Sequence, residues 1–168
     1  MDKSILIIIS NYDFNEAEYL VPKNIFEENN IIVKIASLDG GKCYGSKGLV
    51  VEADLSVAKA NVLDFDAVVF VGGNGVELYF DNIKTLDLVK EFNYAGKPIG
   101  AICFAPAVLA KAGILKGKRA TVWNGAVSKI ELAGATYTAE KVTVDKNIIT
   151  ANGPTAADEF AKKIVEMV

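Results

Sequence analysis

A cysteine stands where a buried strand is expected to turn directly into a helix. Cys103 follows the apolar run Pro98–Ile102 and precedes a helix predicted over Pro106–Ala112. A side chain on such a sharp turn projects outward, beside backbone N–H groups at the helix start that favour a thiolate. The position indicates a nucleophilic cysteine. The open alternative is a small buried side chain, a common environment for free cysteine.

Glu18 and two backbone groups are the candidate partners of Cys103. A carboxylic acid kept protonated by burial could donate a hydrogen bond to the sulfur and stabilise its ionised form. The alternative role of Glu18 is to close a capping box with Asn15, the predicted N-cap three residues earlier. The N–H groups of Gly73 and Phe104 could bind a substrate oxygen as an oxyanion hole.

The composition excludes several classes of active site. The sequence contains no histidine, so a Ser-His-Asp or Cys-His centre cannot form, even between identical copies. Two cysteines are too few for a thiolate zinc site, and we expect no metal and no other cofactor. The second cysteine, Cys43, is interpreted as an incidental thiol, because no spacing relates it to Cys103.

The charge balance and the hydropathy argue against two classes of partner. Lys and Arg number 18 against 21 Asp and Glu, a formal net charge of -3, whereas a polyanion-binding surface needs a basic excess. The apolar run Ile5–Ile9 is too short for a signal-peptide core, and no run approaches the ~20 residues that cross a bilayer. We expect a cytoplasmic protein with no nucleic-acid and no membrane partner.

Short apolar runs alternate with longer helical patterns, which is typical of a mostly parallel sheet with helices on both faces. We predict one α/β domain over residues 1–168. The predicted strands are Ser4–Ile9, Ile31–Ser37, Ala67–Val71, Pro98–Ile102, Arg119–Val122, Val142–Val144 and Ile148–Ala151. The predicted helices are Asn15–Asn29, Leu86–Tyr94, Pro106–Ala112, Ser128–Ala133 and Thr155–Val168.

Two segments carry further signals. Pro22 predicts that the first helix starts late or kinks, because proline cannot donate a backbone hydrogen bond. Four glycines between Leu38 and Gly48 indicate a flexible excursion, followed by a candidate edge strand at Leu49–Glu52.

The expected sheet also predicts which segments meet. Ligands of parallel α/β sheets bind beyond the carboxyl ends of the strands, where loops lead into helices. Three segments leave predicted strands at that edge, namely Ser10–Glu18, Gly72–Gly75 and Cys103–Pro106. We therefore expect them to be neighbours, although they are far apart along the chain.

With these residues the sequence resembles the ThiJ/PfpI superfamily, which includes PfpI-type intracellular peptidases and the Parkinson's-disease-associated deglycase. The matching segments occur in the family's order over nearly the whole chain, at residues 17–22, 71–73, 100–106, 112–117 and 149–154. The resemblance implies a flavodoxin-like three-layer sandwich and a homodimer or larger assembly. It also implies a nucleophile at Cys103 with a carboxylate partner at Glu18, and oxyanion donors at Gly73 and Phe104.

Two positions depart from the family pattern. Peptidase-type members carry a histidine directly after the cysteine, where this sequence has Phe104. Deglycase-type members carry one after the following strand, where it has Trp123 and then Asn124. Trp123 and Asn124 are candidate pocket walls, although a tryptophan is first of all a core or interface residue. Without imidazole, amide hydrolysis lacks an evident group to protonate the leaving amine.

The leading hypothesis is a cysteine-dependent enzyme that acts on small reactive carbonyls, with glyoxalase- or deglycase-like chemistry. A Cys103 thiolate would attack the carbonyl carbon and Glu18 would move a proton. The first alternative is an oxidative-stress thiol sensor or protective binding protein whose Cys103 is oxidised. Two others stay open: a PfpI-type peptidase, which the missing histidine opposes, and an inactive domain whose structural thiol has a pKa at or above ~8.5.

Overall fold

The strands are short, and most of their side chains are apolar and buried. The computed structural model describes all 168 residues. Its strands are β1 (Ser4–Ile8), β2 (Tyr12–Phe14), β3 (Ile32–Ser37), β4 (Gly41–Gly45), β5 (Val50–Ala53), β6 (Leu55–Ser56), β7 (Ala67–Phe70), β8 (Ile99–Ile102), β9 (Arg119–Ala120), β10 (Thr136–Tyr137), β11 (Val142–Asp145) and β12 (Ile148–Ala151). Every predicted strand is present, with its ends shifted by two residues at most.

Seven strands form the central sheet, in the order β11-β12-β8-β7-β1-β3-β6. All neighbours are parallel except β11 and β12, which form the predicted antiparallel hairpin. The carboxyl ends of β1, β7 and β8 therefore lie side by side at one edge. β9 and β10 form a separate two-stranded pair.

Helices cover both faces of the central sheet. They are α1 (Glu16–Glu28), α2 (Ile83–Tyr94), α3 (Pro106–Lys111), α4 (Val127–Leu132) and α5 (Ala157–Val165). Successive side chains of a strand point to opposite faces. Ile5 and Ile7 of β1 thus share a core with α1 and α5, whereas Leu6 and Ile8 share the other core with α2, α3 and α4. The predicted three-layer sandwich is confirmed. None of the five helices has the length and apolar character needed to cross a membrane.

The segment predicted to be a flexible excursion instead forms a second sheet, in the order β2-β4-β5. That prediction was wrong because the glycines shape a hairpin: Gly48 has a φ of 93°, which only glycine adopts readily. The Glu16 carboxylate accepts hydrogen bonds from the backbone N–H groups of Lys47 (3.0 Å) and Leu49 (2.8 Å). These bonds fix the connection between β4 and β5. β5 is the predicted edge strand, displaced by one residue.

α1 does not start late, contrary to one of the two expectations, and it continues through Pro22 as a single helix. The helix begins directly after Asn15, whose side chain accepts a hydrogen bond from the N–H of Glu18 at 3.1 Å. Pro22 is buried together with Tyr19 and Phe26 on the face that packs against the sheet and α5. This apolar packing offsets the one backbone hydrogen bond that proline cannot make.

The starts of two other helices differ from the prediction. α2 begins three residues before Leu86, because the Asn82 side chain caps it by accepting a hydrogen bond from the N–H of Thr85 at 2.9 Å. The predicted helix start at Thr155 is wrong, since this residue lies inside a 3₁₀ turn, Pro154–Ala156, that precedes α5. The proline sets the geometry of that turn, so the α-helix starts two residues later than predicted, at Ala157.

α5 packs on β8 by close approach to Gly100. A Cβ atom at this position would lie 2.7 Å from Cδ1 of Ile164 and 2.9 Å from Cζ of Phe160. Both side chains are fully buried. Because β8 leads directly into Cys103, the contact between α5 and this glycine helps to fix the position of Cys103 relative to the sheet.

We expect Gly100→Ala to lower the free energy of unfolding by about 1–3 kcal/mol, because the added methyl group overpacks a filled core. Gly153→Ala is the matched control, since its φ of 163° is extended backbone and no atom lies within 4 Å of the added carbon. We expect that control to be neutral or stabilising by less than about 1 kcal/mol. Urea unfolding followed by the single tryptophan measures both; equal changes would contradict the packing account.

Candidate active site

The three segments predicted to be neighbours meet around Gly72. The N–H of Asn15 donates to the carbonyl oxygen of Gly72 at 3.0 Å, which joins the start of α1 to the end of β7. A Cβ atom at Gly72 would lie 2.7 Å from Oε1 of Glu18 and 2.8 Å from Cβ of Cys103. Glycine at this position is therefore what allows the carboxyl group and the cysteine side chain to come together.

Cys103 occupies a strained turn between β8 and α3. Its φ is 63°, in the left-handed region that residues other than glycine rarely adopt. Its N–H donates to the carbonyl oxygen of Ala151 at 2.8 Å, and its own carbonyl oxygen accepts from the N–H of Trp123 at 2.8 Å. Such a conformation costs about 1–3 kcal/mol and persists where the surroundings enforce it. The neighbouring strand and loop thus hold the predicted nucleophile turn in place.

Two backbone N–H groups point to the sulfur of Cys103. They belong to Phe104 and Gly73, and their hydrogen bonds lower the pKa of the thiol. Gly73 has a φ of 102°, and a Cβ atom there would lie within 2.7 Å of the backbone of Asp13 and Asn15. The two donors named from the sequence are therefore next to the sulfur itself.

Glu18 is completely buried, and it does not close the capping box. Asn15 donates its N–H to Gly72, so this group is not available to the Glu18 carboxyl. Neither carboxyl oxygen has a hydrogen-bond partner of ordinary geometry. The Cys103 sulfur is nonetheless close enough that hydrogen bonding between the two groups affects the pKa of each. The buried carboxyl is thus free to act on the sulfur.

Burial determines the protonation of Glu18. It raises the pKa of the carboxyl to about 8, and the contact with Cys103 lowers it only in part. A carboxylate without hydrogen-bond donors in an apolar interior is strongly disfavoured relative to the neutral acid. Glu18 therefore holds a proton at neutral pH, as the sequence analysis required of a hydrogen-bond donor.

The thiol of Cys103 is coupled to that proton. Burial, followed by the negative charge of an ionised Glu18 and the hydrogen bond between the two groups, raises the pKa of Cys103 to about 12, although the two backbone donors lower it. A thiol pKa above ~8.5 is what the inactive-domain alternative predicts. The charge repulsion disappears when Glu18 keeps its proton, and the acid can then donate to the sulfur. The two groups titrate as a pair; because Glu18 has the lower pKa, the pair that has lost one proton carries its negative charge mainly on the carboxylate.

Aromatic side chains line one side of the nucleophile turn. The Phe104 ring packs edge-on against Trp123 at 5.7 Å and against Phe80 at 5.2 Å between centroids. Phe104 is buried, whereas Trp123 is 43% exposed. Asn124 is exposed at the start of a 3₁₀ turn, and its side chain makes no hydrogen bond to the protein. The two proposed wall residues therefore differ. Trp123 packs against Phe104 and is also accessible to solvent, whereas the Asn124 side chain is exposed and makes no hydrogen bond to the protein.

The remaining candidates lie apart from this site. Cys43 is fully buried in β4, and burial raises the pKa of its thiol. The Asn11 amide approaches its sulfur at 3.8 Å. No group of three or more Cys, Asp and Glu side chains is arranged to hold a metal ion.

Two residues were not singled out by the sequence analysis, Gly72 and Phe80; the first was visible only as part of a glycine cluster.

Substitution of Glu18 should change how stability depends on pH. The folded-state pKa of about 8 exceeds the ordinary value of 4.5, so the folded protein binds this proton more tightly and loses that advantage as pH rises from 4.5 to 8. The free energy of unfolding of the wild type, minus that of Glu18→Gln, should fall by about 1 kcal/mol per pH unit between pH 5 and 7.5. Urea unfolding across this range measures it; a constant difference would mean that Glu18 is ionised.

The chain is similar to known proteins over its whole length. The model of the DJ-1/PfpI family matches residues 3–167. The uncharacterized protein MJ0967 of Methanocaldococcus jannaschii is 38% identical, over 98% of this chain and 82% of that protein. Deglycase PfpI of Pyrococcus furiosus is 29% identical, over 97% of this chain and 98% of the relative.

Solved structures agree with this relationship. The crystal structure of a ThiJ/PfpI domain protein from Brachyspira murdochii superimposes with a TM-score of 0.96 at 33% identity, and the match covers 99% of this chain and 97% of the other. The resemblance noted in the sequence and the flavodoxin-like fold are thereby confirmed. With its sequence, its fold and the order of its motifs in agreement, the chain belongs to the DJ-1/PfpI family.

Proposed function

We propose that this protein is a cysteine-dependent enzyme that acts on small reactive carbonyl compounds such as 2-oxoaldehydes, with glyoxalase- or deglycase-like chemistry. The observation that carries the proposal is a protonated, buried Glu18 carboxyl that has no other partner and lies next to Cys103. A relative of nearly the same length is named a deglycase, which supports an enzymatic role. Cys103 and Glu18 are the proposed catalytic residues.

The first step is the attack of sulfur on the aldehyde carbon. In the reactive form of the pair, which is the less populated of the two singly deprotonated forms, Glu18 holds the proton and Cys103 is a thiolate. A sulfur lone pair forms the C–S bond, the π electrons of the carbonyl move to its oxygen, and Glu18 donates its proton to that oxygen. The product is a hemithioacetal, and Glu18 is left as a carboxylate.

The second step moves a proton between adjacent carbons. The Glu18 carboxylate removes the hydrogen of the former aldehyde carbon as a proton, and an enediol forms. Return of a proton to the neighbouring carbon gives the thioester of a 2-hydroxy acid. Water then hydrolyses the thioester and regenerates Cys103. Atoms and electrons balance, because one carbon of the substrate is oxidised while its neighbour is reduced.

Backbone donors and the aromatic side chains would select the substrate. The N–H groups of Gly73 and Phe104 are proposed to stabilise negative charge on the carbonyl oxygen as the C–S bond forms. Trp123 and Asn124 would border the substrate on the exposed side. A homodimer or larger assembly stays a prediction, as does the absence of a nucleic-acid partner.

The chemistry predicts a specific pattern of activity loss. Cys103→Ser should lower methylglyoxal consumption at least 100-fold, because a hydroxyl is a far weaker nucleophile than a thiolate. Glu18→Gln should lower it by roughly 100-fold, a typical loss for a proton-transfer group. The wild-type rate should rise with pH through about 8, where the pair loses its first proton.

Cys43→Ala is the control for that experiment, because Cys43 is buried in another part of the molecule. Its rate should equal that of the wild type once the folded fractions are matched. Methylglyoxal loss and formation of lactate are followed together. Equal rates for wild type and Cys103→Ser would exclude the proposal.

A second candidate function, a thiol sensor of oxidative stress, is favoured by the unequal access to the two thiols. Cys103 is partly exposed, whereas Cys43 is fully buried. Attack of the Cys103 thiolate on hydrogen peroxide would give a sulfenic acid and hydroxide. The N–H groups of Phe104 and Gly73 would then bind the oxidised sulfur.

Mild peroxide should add one or two oxygen atoms at Cys103 and none at Cys43, because the thiolate that reacts must also be accessible. Intact-mass measurement followed by peptide mapping locates the oxygen and separates it from methionine oxidation. Cys103→Ser should show no cysteine modification under the same conditions. Modification of Cys43 alone, or of neither cysteine, would count against the sensor.

A further inference from the structure

A cavity lies between α3 and α4, on the face of the sheet that α2 also covers. Its volume is about 290 Å³, the space of roughly ten water molecules. Five of its seven lining residues are apolar, among them Phe80, Ala107, Ala110 and Leu132. The other two are Lys111 and Lys129. Cys103 and Glu18 are not among the lining residues, so the cavity is distinct from the candidate active site.

The two lysines lack a firm counter-ion. Lys129 extends over the Phe80 ring, with its Nζ 5.5 Å from the centroid, and it forms no salt bridge. Lys111 has one carboxylate nearby, that of Asp81 at 4.0 Å, and the Asp81 side chain is 94% exposed. An exposed ion pair with so long a distance between its charged groups contributes little free energy of stabilisation. Two ammonium groups thus border an apolar cavity in a protein whose net charge is -3.

These features point to one class of ligand. An apolar molecule would fill the cavity but leave the positive charge unpaired, and a bare inorganic anion would leave the apolar walls in contact with water. A carboxylate with a short apolar chain satisfies both, because burial of its CH₂ groups and pairing of its charge act together. A ligand of about ten non-hydrogen atoms matches the volume.

We propose that this cavity binds a small amphipathic carboxylate. Its chain lies against Phe80, Ala107 and Leu132, and its carboxylate is held between Lys111 and Lys129. This site is independent of the proposed carbonyl chemistry. It is nevertheless close to the nucleophile turn, because Phe80 also packs against Phe104. Only one layer of aromatic side chains separates the ligand from the residue that follows Cys103.

Equilibrium dialysis of the full chain with radiolabelled octanoate tests the proposal. We expect saturable binding of one molecule per chain, with a Kd of about 0.1–1 mM, as is reasonable for a ligand of ten non-hydrogen atoms. Each CH₂ group added between butanoate and octanoate should tighten binding by up to about fourfold. Octanol, used as an unlabelled competitor, should be at least tenfold weaker than octanoate.

Charge-neutral variants locate the site. Lys129→Gln and Lys111→Gln should each weaken octanoate binding at least fivefold, and Lys129→Arg should retain it. Lys90→Gln is the matched control, because Lys90 is an exposed lysine of α2 outside the cavity, paired with Asp87. All three positions are on the surface, so the four variants should fold. Octanol competing as well as octanoate, binding that none of the variants changes, or no saturable binding would each overturn the proposal.

Discussion

The site depends on one energetic constraint, which is that the Glu18 carboxyl is buried without hydrogen-bond donors. Ionising such a group costs several kcal/mol more than ionising it in water, so it keeps its proton until the pH approaches about 8. Thr121 and Thr150 are also buried but have partners, and the hydroxyl of Ser37 is the other buried side-chain group without one. Burial of this unpaired carboxyl beside the sulfur lowers the free energy of unfolding of the protein.

Three features of the backbone make this arrangement possible. Gly72 leaves the space in which the carboxyl and Cys103 approach each other, and Gly73 adopts a left-handed φ so that β7 can pass close to the start of α1. Cys103 itself is held in a left-handed conformation by hydrogen bonds to β12 and to the loop at Trp123. Strain of this kind persists because the surrounding strands are rigid and fully buried.

The positions where family members carry histidine are here part of an aromatic cluster. Phe104 is buried between Phe80 and Trp123, and these contacts fix the residue whose N–H points to the sulfur. In the absence of imidazole, the proposed mechanism assigns proton transfer to the single carboxyl of Glu18. The proposed carbonyl chemistry needs one proton that moves between Glu18 and the substrate, which this arrangement can supply. Amide hydrolysis must also protonate an amine leaving group, and no second group is present for that step. The same cluster continues to the lysine-bordered cavity through Phe80.

The sequence by itself determined the fold class and the membership of the site. Continuous β-branched runs such as Ile5–Ile8 require burial on both faces, and the parallel sheet that follows brings the ends of β1, β7 and β8 to one edge. Gly73 and Cys103 could be named because each closely follows such a strand, and Glu18 because it lies in the first turn of α1. Errors arose where tertiary contacts override local signals, as at Pro22 and in the hairpin that Glu16 fixes.

The contacts and the protonation of these residues follow from the tertiary structure. Whether Glu18 caps its helix or faces the sulfur depends on where the N–H of Asn15 donates, and that partner, Gly72, is far away in the sequence. The proton affinity of Glu18 depends on complete removal from water, which no spacing along the chain reveals. Local periodicity specifies elements and their order; pKa values and charge pairing arise from groups that meet only after the chain has folded.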